Sequence, residues 1–136
     1  MNKLTVNEKA QCVGCRQCEL ICSLKHEDEY APWLARIRID RDEFIVKAHP
    51  VICMHCPDAP CAAACPVNAI TQSGVSGAYQ VNQMECIGCF QCREACPFGA
   101  IVVNTEKGIA MKCDLCGGKA ACVGVCPADV LRQEVR

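Results

Sequence analysis

Residues 35–40 read Ala-Arg-Ile-Arg-Ile-Asp, alternating apolar and charged positions with the period of two that a half-buried strand requires. Residues 44–48 can pair with this strand across a tight turn, and residues 78–82 are a third strand candidate. The apolar runs 101–103 and 109–111 flank Asn104, Thr105, Glu106, Lys107 and Gly108. That arrangement predicts a hairpin whose loop takes its positive φ from the glycine. Helical stretches are brief, at 16–23, 60–65, 91–96 and 119–126. Helices of about two turns do not hold in water on propensity alone. The elements predict an α+β fold of short helices and small antiparallel hairpins, held together by something other than the helices.

Composition narrows what that can be. A chain of 136 residues makes one compact domain, or two very small ones, with a modest core. Hydrophobic residues make up 51% of it, but 16 of them are cysteines, six are leucines, and aromatics reach only 4%. Ordinary packing material is therefore thin. A cysteine share of this size signals either disulfides or metal. The start, MNKLTVNEKAQC, has no apolar segment of signal-peptide type, which favours thiolates on metal in a reducing cytoplasm over a secreted disulfide scaffold. No apolar run approaches the 18 residues of a membrane span. A formal net charge of −1 gives no basic field for nucleic acid, so a protein partner is expected.

The cysteines fall into four groups of four, with none left over. Cys12, Cys15, Cys18 and Cys22 are spaced C-x2-C-x2-C-x3-C, and Cys86, Cys89, Cys92 and Cys96 repeat that spacing. Cys53, Cys56, Cys61 and Cys65 read C-x2-C-x4-C-x3-C, and Cys113, Cys116, Cys122 and Cys126 read C-x2-C-x5-C-x3-C. The second and third groups share a tail, Cys65-Pro66-Val67-Asn68-Ala69-Ile70 against Cys96-Pro97-Phe98-Gly99-Ala100-Ile101, which suggests a duplicated unit. Zinc is the first rival, since two C-x2-C pairs can make a tetrahedral thiolate site. Zinc sites, however, separate their pairs by a dozen or more residues, whereas here three thiols crowd into seven, as a loop around something larger than one ion. The spacing C-x2-C-x2-C-x3-C is that of 4Fe-4S ligation, in which three thiolates bind one cluster and the fourth reaches the other cluster of a pair. Gly14 and Gly88 let the backbone approach the sulfurs, and Val13 and Ile87 are placed to cover them from water. Four groups then mean four 4Fe-4S clusters.

Residues 53–101 resemble a complete bacterial two-cluster ferredoxin, with two cysteine groups each followed by CPxxAI. That resemblance implies that the second group pairs with the third, and the first with the fourth around them. Under this nested scheme Cys53, Cys56 and Cys61 share a cluster with Cys96, and Cys86, Cys89 and Cys92 share one with Cys65. The outer sets are Cys12, Cys15 and Cys18 with Cys126, and Cys113, Cys116 and Cys122 with Cys22. A sequential scheme, first with second and third with fourth, stays open on spacing alone. The expected organisation is a single four-cluster polyferredoxin domain over 1–136, a tandem bacterial-ferredoxin-like fold. Its inner unit covers about 50–104 and its outer unit about 1–49 plus 105–136.

Taken over nearly its whole length, the pattern resembles the four-cluster electron-transfer subunits of molybdenum and tungsten oxidoreductases, of the dimethyl-sulfoxide reductase and formate dehydrogenase small-subunit type. Within that group the stretch CVGCRQCELICSLKHE is similar to the small ferredoxin-like subunit of tungsten aldehyde oxidoreductases. The resemblance implies a non-catalytic subunit that relays single electrons. One side would be a large catalytic oxidoreductase subunit, with an aldehyde oxidoreductase favoured, and the other an acceptor or donor such as a flavin subunit. A freely diffusing polyferredoxin serving several enzymes is the alternative. Larger members carry long insertions and a C-terminal membrane anchor that this chain lacks, so a soluble partner is expected.

The remaining features take plainer readings. Arg16, Arg93, Lys112 and Lys119 read as solvated charges, with tuning or docking as the other possibility. His26, His49 and His55 read as core or surface histidines because the ligand count is already complete. Glu27, Asp28 and Glu29 read as a solvated face or turn, and Arg36, Arg38 and Arg41 as the outer side of a strand. Trp33 reads as packing or an interface anchor.

Overall fold

The computed structural model describes residues 2–42 and 47–135. Each gap between cysteine groups holds one two-stranded antiparallel ribbon. β2 (Arg38–Asp42) pairs with β3 (Lys47–Val51), β4 (Ile70–Gln72) with β5 (Tyr79–Val81), and β6 (Val102–Asn104) with β7 (Ile109–Met111). The fourth ribbon joins the two ends of the described chain, with β1 (Asn2–Val6) running antiparallel to β8 (Leu131–Val135) and Leu4 opposite Gln133. Between the ribbons lie α1 (Gln17–Glu27), α2 (Pro60–Ala64), α3 (Gln91–Ala95) and α4 (Ala121–Val125), with 3₁₀ turns at Pro32–Leu34 and Leu115–Gly118. The α+β architecture of short helices and small hairpins is as expected.

The alternation at 35–40 governs burial as anticipated: Ala35, Ile37 and Ile39 are buried and Arg38 is exposed. Strand pairing itself begins only at Arg38. In the expected partner strand, residues 44–46 lie outside the described residues, while Lys47 and Ala48 do pair. The hairpin at 101–111 forms with Val102 opposite Met111 and Gly108 at φ 64, and the Gly108 N–H donates to the Asn104 carbonyl.

Several expectations are corrected. β1, β4 and β8 were not legible as strands. α1 runs to Glu27 because Asp28 takes a left-handed conformation, φ 57, that returns its N–H to Leu24 and ends the helix. Lys25 and His26 in its last turn complement the helix dipole. α4 starts at Ala121, two residues later than expected, since Lys119 and Ala120 are still extended, at ψ 101 and 114. Arg36 does not line an outer face, because its guanidinium reaches the Lys112 carbonyl and Asp114. Trp33 is 72% exposed, which removes the packing reading. Glu27 is also half-withdrawn from water and faces Lys107 at 3.8 Å.

The core divides in three. One cluster gathers Leu4, Leu131, Leu115, Ile37, Ile39 and Ile52 around Cys18, Cys22 and Cys122, bringing together the chain ends and the 35–52 region. A second gathers Ile70, Ile101, Ala59 and Ala110 around Cys61 and Cys92. The smallest packs Ala31, Leu34 and Met111 against Val102. Among the described residues no aromatic side chain is buried, so cysteines occupy places that leucine or phenylalanine fill in an ordinary domain. Among the described residues no helix is long and apolar enough to cross a membrane.

Gly88 leaves no room for a side chain. At φ 73 it lies against Gly108, and an added Cβ would strike the Gly108 carbonyl oxygen. Gly88→Ala should therefore lower stability by at least about 1–2 kcal/mol, the cost of the left-handed conformation alone, as read from thermal melts. Gly124→Ala has open space within α4 and should change stability by no more than about 1 kcal/mol, in the stabilising direction.

Candidate metal centres

Left-handed residues bend each cysteine loop. Gly14 (φ 70) and Arg16 (φ 62) flank Cys15, and Gly88 (φ 73) and Phe90 (φ 59) flank Cys89 in the same way. His55 and Ala59 serve the second group, and Leu115, Cys116, Gly117 and Gly118 the fourth. Of the nine non-glycine residues at positive φ among the described residues, only Asp28 lies outside a cysteine group or the turn that follows one. Each such residue costs about 1–2 kcal/mol, and strain of this kind persists where the surroundings over-determine it. Here it turns three thiols of each group to one side.

The fourth thiol follows a different rule. Cys65, Cys96 and Cys126 each end a five-residue helix with ψ near extended values, 115°, 114° and 111°. Proline comes next, and then Asn68, Gly99 or Asp129 at φ 53, 64 or 55, residue types that tolerate the left-handed region. The turn brings the N–H of Ala69, Ala100 or Val130 back onto the sulfur at 3.2, 3.5 and 3.4 Å. Cys22 is different: it sits within α1 and receives the Arg36 N–H at 3.2 Å. Other N–H groups reach Cys53 from His55 and Cys86 from Ala110. Donors aimed at sulfur favour the thiolate.

Four cavities open among these sulfurs. The first-group cavity, about 350 Å³ with its mouth, is lined by Cys12, Cys15, Cys18 and Cys126. The second-group cavity, about 400 Å³, is lined by Cys53, Cys56, Cys61 and Cys96. The third-group cavity, about 320 Å³, takes Cys65, Cys86, Cys89 and Cys92. The fourth-group cavity, about 360 Å³, takes Cys22, Cys113, Cys116 and Cys122, with Cys53 on its wall as well. α1 and α4 pack together between the first- and fourth-group cavities, and α2 and α3 between the second and third. Since Cys53 touches both the second- and fourth-group cavities, the spatial order is first, fourth, second, third. The exposed cysteines, Cys15 and Cys89, belong to the two ends of that order. Val13 and Ile87 line these end cavities and are 62% and 64% exposed.

Burial raises the Cys18 and Cys122 thiols to about 12 and raises Cys61 as well. Cys126 moves the other way: burial opposes it, but the N–H groups of Leu131 and Val130 carry it below its ordinary value. Sulfurs gathered in fours need a polycation to offset the charge they carry as ligands, and the donor set and the aimed N–H groups suit an iron-sulfur cluster in each cavity.

Charged groups cluster near the middle of the order. Lys112, read from the sequence as solvated, is buried on the wall of the second-group cavity, and the sequence carries no signal for this. His26 and Arg36 line the fourth-group cavity and both meet Asp114, at 2.9 and 3.4 Å. Asp114 also accepts from the Cys116 N–H, a turn-capping role that its place between Cys113 and Cys116 could have suggested. The hydrogen bond to Asp114, followed by contact with Cys22, raises His26 to about 10. Burial would raise Asp114, but His26 and Arg36 outweigh it and hold the carboxyl at about 2. His26, Asp114 and Cys116 bring donor atoms within 4.8 Å of one another, but Cys116 belongs to the fourth-group cavity. His49 is exposed.

Comparison with known proteins gives consistent matches. The family model for the 4Fe-4S dicluster domain matches residues 44–136. YsaA of Escherichia coli, provisionally named an electron transport protein, is 40% identical over 97% of this chain and 89% of its own length. The polyferredoxin-like subunit of aliphatic sulfonate oxidoreductase from Pyrococcus furiosus is 43% identical over 85% of this chain and 66% of its own. UacF of Escherichia coli, provisionally named an oxidoreductase, is 44% identical over 97% of this chain, which spans only 21% of UacF. A chain of the BamBC active-site complex of benzoyl coenzyme A reductase matches the fold with a TM-score of 0.58 at 24% identity, over 100% of this chain and 80% of that one. The ribbons, the cysteine loops and these relatives agree that the chain belongs to the 4Fe-4S dicluster domain family of electron-transfer iron-sulfur proteins.

Proposed function

We propose that the chain is a non-catalytic subunit that holds four 4Fe-4S clusters in a row and passes electrons between a catalytic oxidoreductase subunit and a second redox partner. One observation carries this reading: each of the four cavities is ringed by three cysteines of one group and the fourth cysteine of another. The ligand sets are Cys12, Cys15, Cys18 with Cys126; Cys113, Cys116, Cys122 with Cys22; Cys53, Cys56, Cys61 with Cys96; and Cys86, Cys89, Cys92 with Cys65. Each cluster, when bound, takes up and releases one electron at a time, and full thiolate ligation leaves no iron open to substrate.

The residues of the chain do the rest. Backbone N–H groups donate to the sulfurs of Cys22, Cys65, Cys96 and Cys126, and donors of this kind help set a cluster's potential. Apolar walls such as Ile39, Ile70 and Ile101 keep water from the sulfurs. Cys53, as a wall shared by two cavities, joins an inner unit at about 50–104 to an outer unit made of about 1–49 and 105–136. The end cavities, with exposed Cys15 and Cys89, are where partners approach.

The partner we favour is a large tungsten or molybdenum subunit of the aldehyde oxidoreductase kind. In support, a 43% identical relative is the polyferredoxin-like subunit of an oxidoreductase, and the stretch from Cys12 to Glu27 resembles the small subunit of such enzymes. The chain spans about a fifth of UacF, so in some proteins the same module is part of a longer chain.

Three measurements test the reading. Anaerobically purified protein should carry about sixteen iron atoms per chain, four for each cluster, with stoichiometric zinc in place of iron overturning it. Cys96→Ala should lose about four of those irons, and spectra should assign the loss to the second-group cluster. Loss from the third group with the second intact would reverse the ligand assignment. Affinity capture from the native host should recover a large catalytic subunit, and recovery of this chain alone would favour a diffusing polyferredoxin.

A further inference from the structure

The second- and third-group cavities occupy matching places in the duplicated inner unit, yet the second carries a buried lysine and the buried His55 on its wall where the third has only apolar side chains and cysteines. The third-group cavity is walled by cysteines and by Val67, Ala69, Ile70, Val81, Ile87 and Phe90, with Ala110, and no charged side chain lines it. The second-group cavity has Lys112 on its wall. That residue is 3% exposed, and its Nζ donates to the carbonyls of Tyr79 at 2.8 Å and Cys113 at 3.2 Å. Carbonyl oxygens solvate an ammonium without cancelling its charge. Among the described residues no carboxylate pairs with Lys112.

A buried cation with no counter-charge is costly, and it is retained where an anion faces it. The cavity that Lys112 faces is ringed by Cys53, Cys56, Cys61 and Cys96, which supply that anion when they hold a cluster. An iron-sulfur cluster gains one negative charge on reduction, so a fixed cation in a poorly screened interior favours its reduced form.

We propose that Lys112 makes the two halves of the inner unit unequal, raising the reduction potential of the cluster in the second-group cavity above that of the cluster in the third-group cavity. This deepens the four-cluster reading and rests on it. Lys112 directly precedes Cys113 of the fourth group, so the cation stands where the inner unit meets the outer one. The inner pair thereby gains a downhill sense, from the exposed Cys89 end toward the middle of the row.

The test is an anaerobic redox titration of the loaded full-length chain, followed by electron paramagnetic resonance, with iron measured on every sample. Cys56→Ser marks which reduction step belongs to the second-group cavity. In Lys112→Met that step should shift to more negative potential and approach the third-group step, while Lys112→Arg should keep most of the wild-type separation. Full iron with that step unmoved, or moved positive, overturns the inference. If Lys112→Met and Lys112→Gln both lose the second-group iron while Lys112→Arg retains it, the inference stands when the second-group step of Lys112→Arg lies above the third-group step, and falls when it lies below. If Lys112→Arg loses it too, Lys112 is a packing residue and the inference falls. A wild-type chain that takes up no iron removes the four-cluster reading itself, a failure separate from any change confined to the Lys112 variants.

Discussion

Four thiol sulfurs converging on one cavity are a poor arrangement by themselves, and the rest of this fold depends on making it tolerable. Deprotonated, the sulfurs repel one another. Protonated, they bury weak hydrogen-bonding groups among alanine and isoleucine. A polycationic iron core reverses both penalties, because it draws the sulfurs inward and supplies ligand bonds where ordinary cores supply packing. That explains why the largest fully buried apolar side chains are only Leu4, Met111, Leu115 and Leu131, and why helices of five residues persist. It also explains the left-handed residues: Arg16, Ala59 and Phe90 are held at unfavourable φ by the requirement that neighbouring thiols face one point.

The crossing of the fourth thiol converts local loops into long-range structure. Cys126 lines a cavity with Cys12, Cys15 and Cys18, more than a hundred positions earlier in the chain. α1 is thereby laid against α4, and the chain ends are close enough for β1 to pair with β8. Gln133 secures that closure, accepting from the Ala120 N–H at 2.9 Å and donating to the Gly118 carbonyl at 2.7 Å. The four ribbons then alternate with the four cysteine groups as a closed cycle, with the terminal pair taking the place that a hairpin takes elsewhere.

How much of this could be read from the sequence follows from the range of each interaction. The Gly108 hairpin, the alternation at 35–40 and the helices ahead of Cys65 and Cys96 depend on neighbours within a few residues, and residue type alone exposes them. The pairing of β1 with β8 joins five-residue segments from opposite ends, and nothing local distinguishes residues 2–6 from a disordered start. Lys112 and Arg36 were hidden for a related reason. A charge reads as solvated unless its partner is visible nearby in sequence, and here Lys112 faces a ring of sulfurs gathered from distant groups while Arg36 meets Asp114 far along the chain. Trp33 shows the opposite case, since of its two readings, packing or an interface anchor, its exposure removes only packing.

The distribution of charge follows from the same geometry. The second- and fourth-group cavities lie in the middle of the row, and each is lined by at least two buried cysteines, Cys53 and Cys61 in one, Cys22 and Cys122 in the other. The end cavities each present an exposed cysteine, Cys15 or Cys89, so water can screen negative charge there. In the middle buried basic side chains face the sulfurs, Lys112 on one wall and Arg36 with His26, both against Asp114, on the other, whereas Arg16 on the first-group wall is half-exposed and paired with Glu19. A row of negatively charged sites is easiest to sustain when its ends are screened by solvent and its middle by buried positive charge, which is the pattern these side chains form.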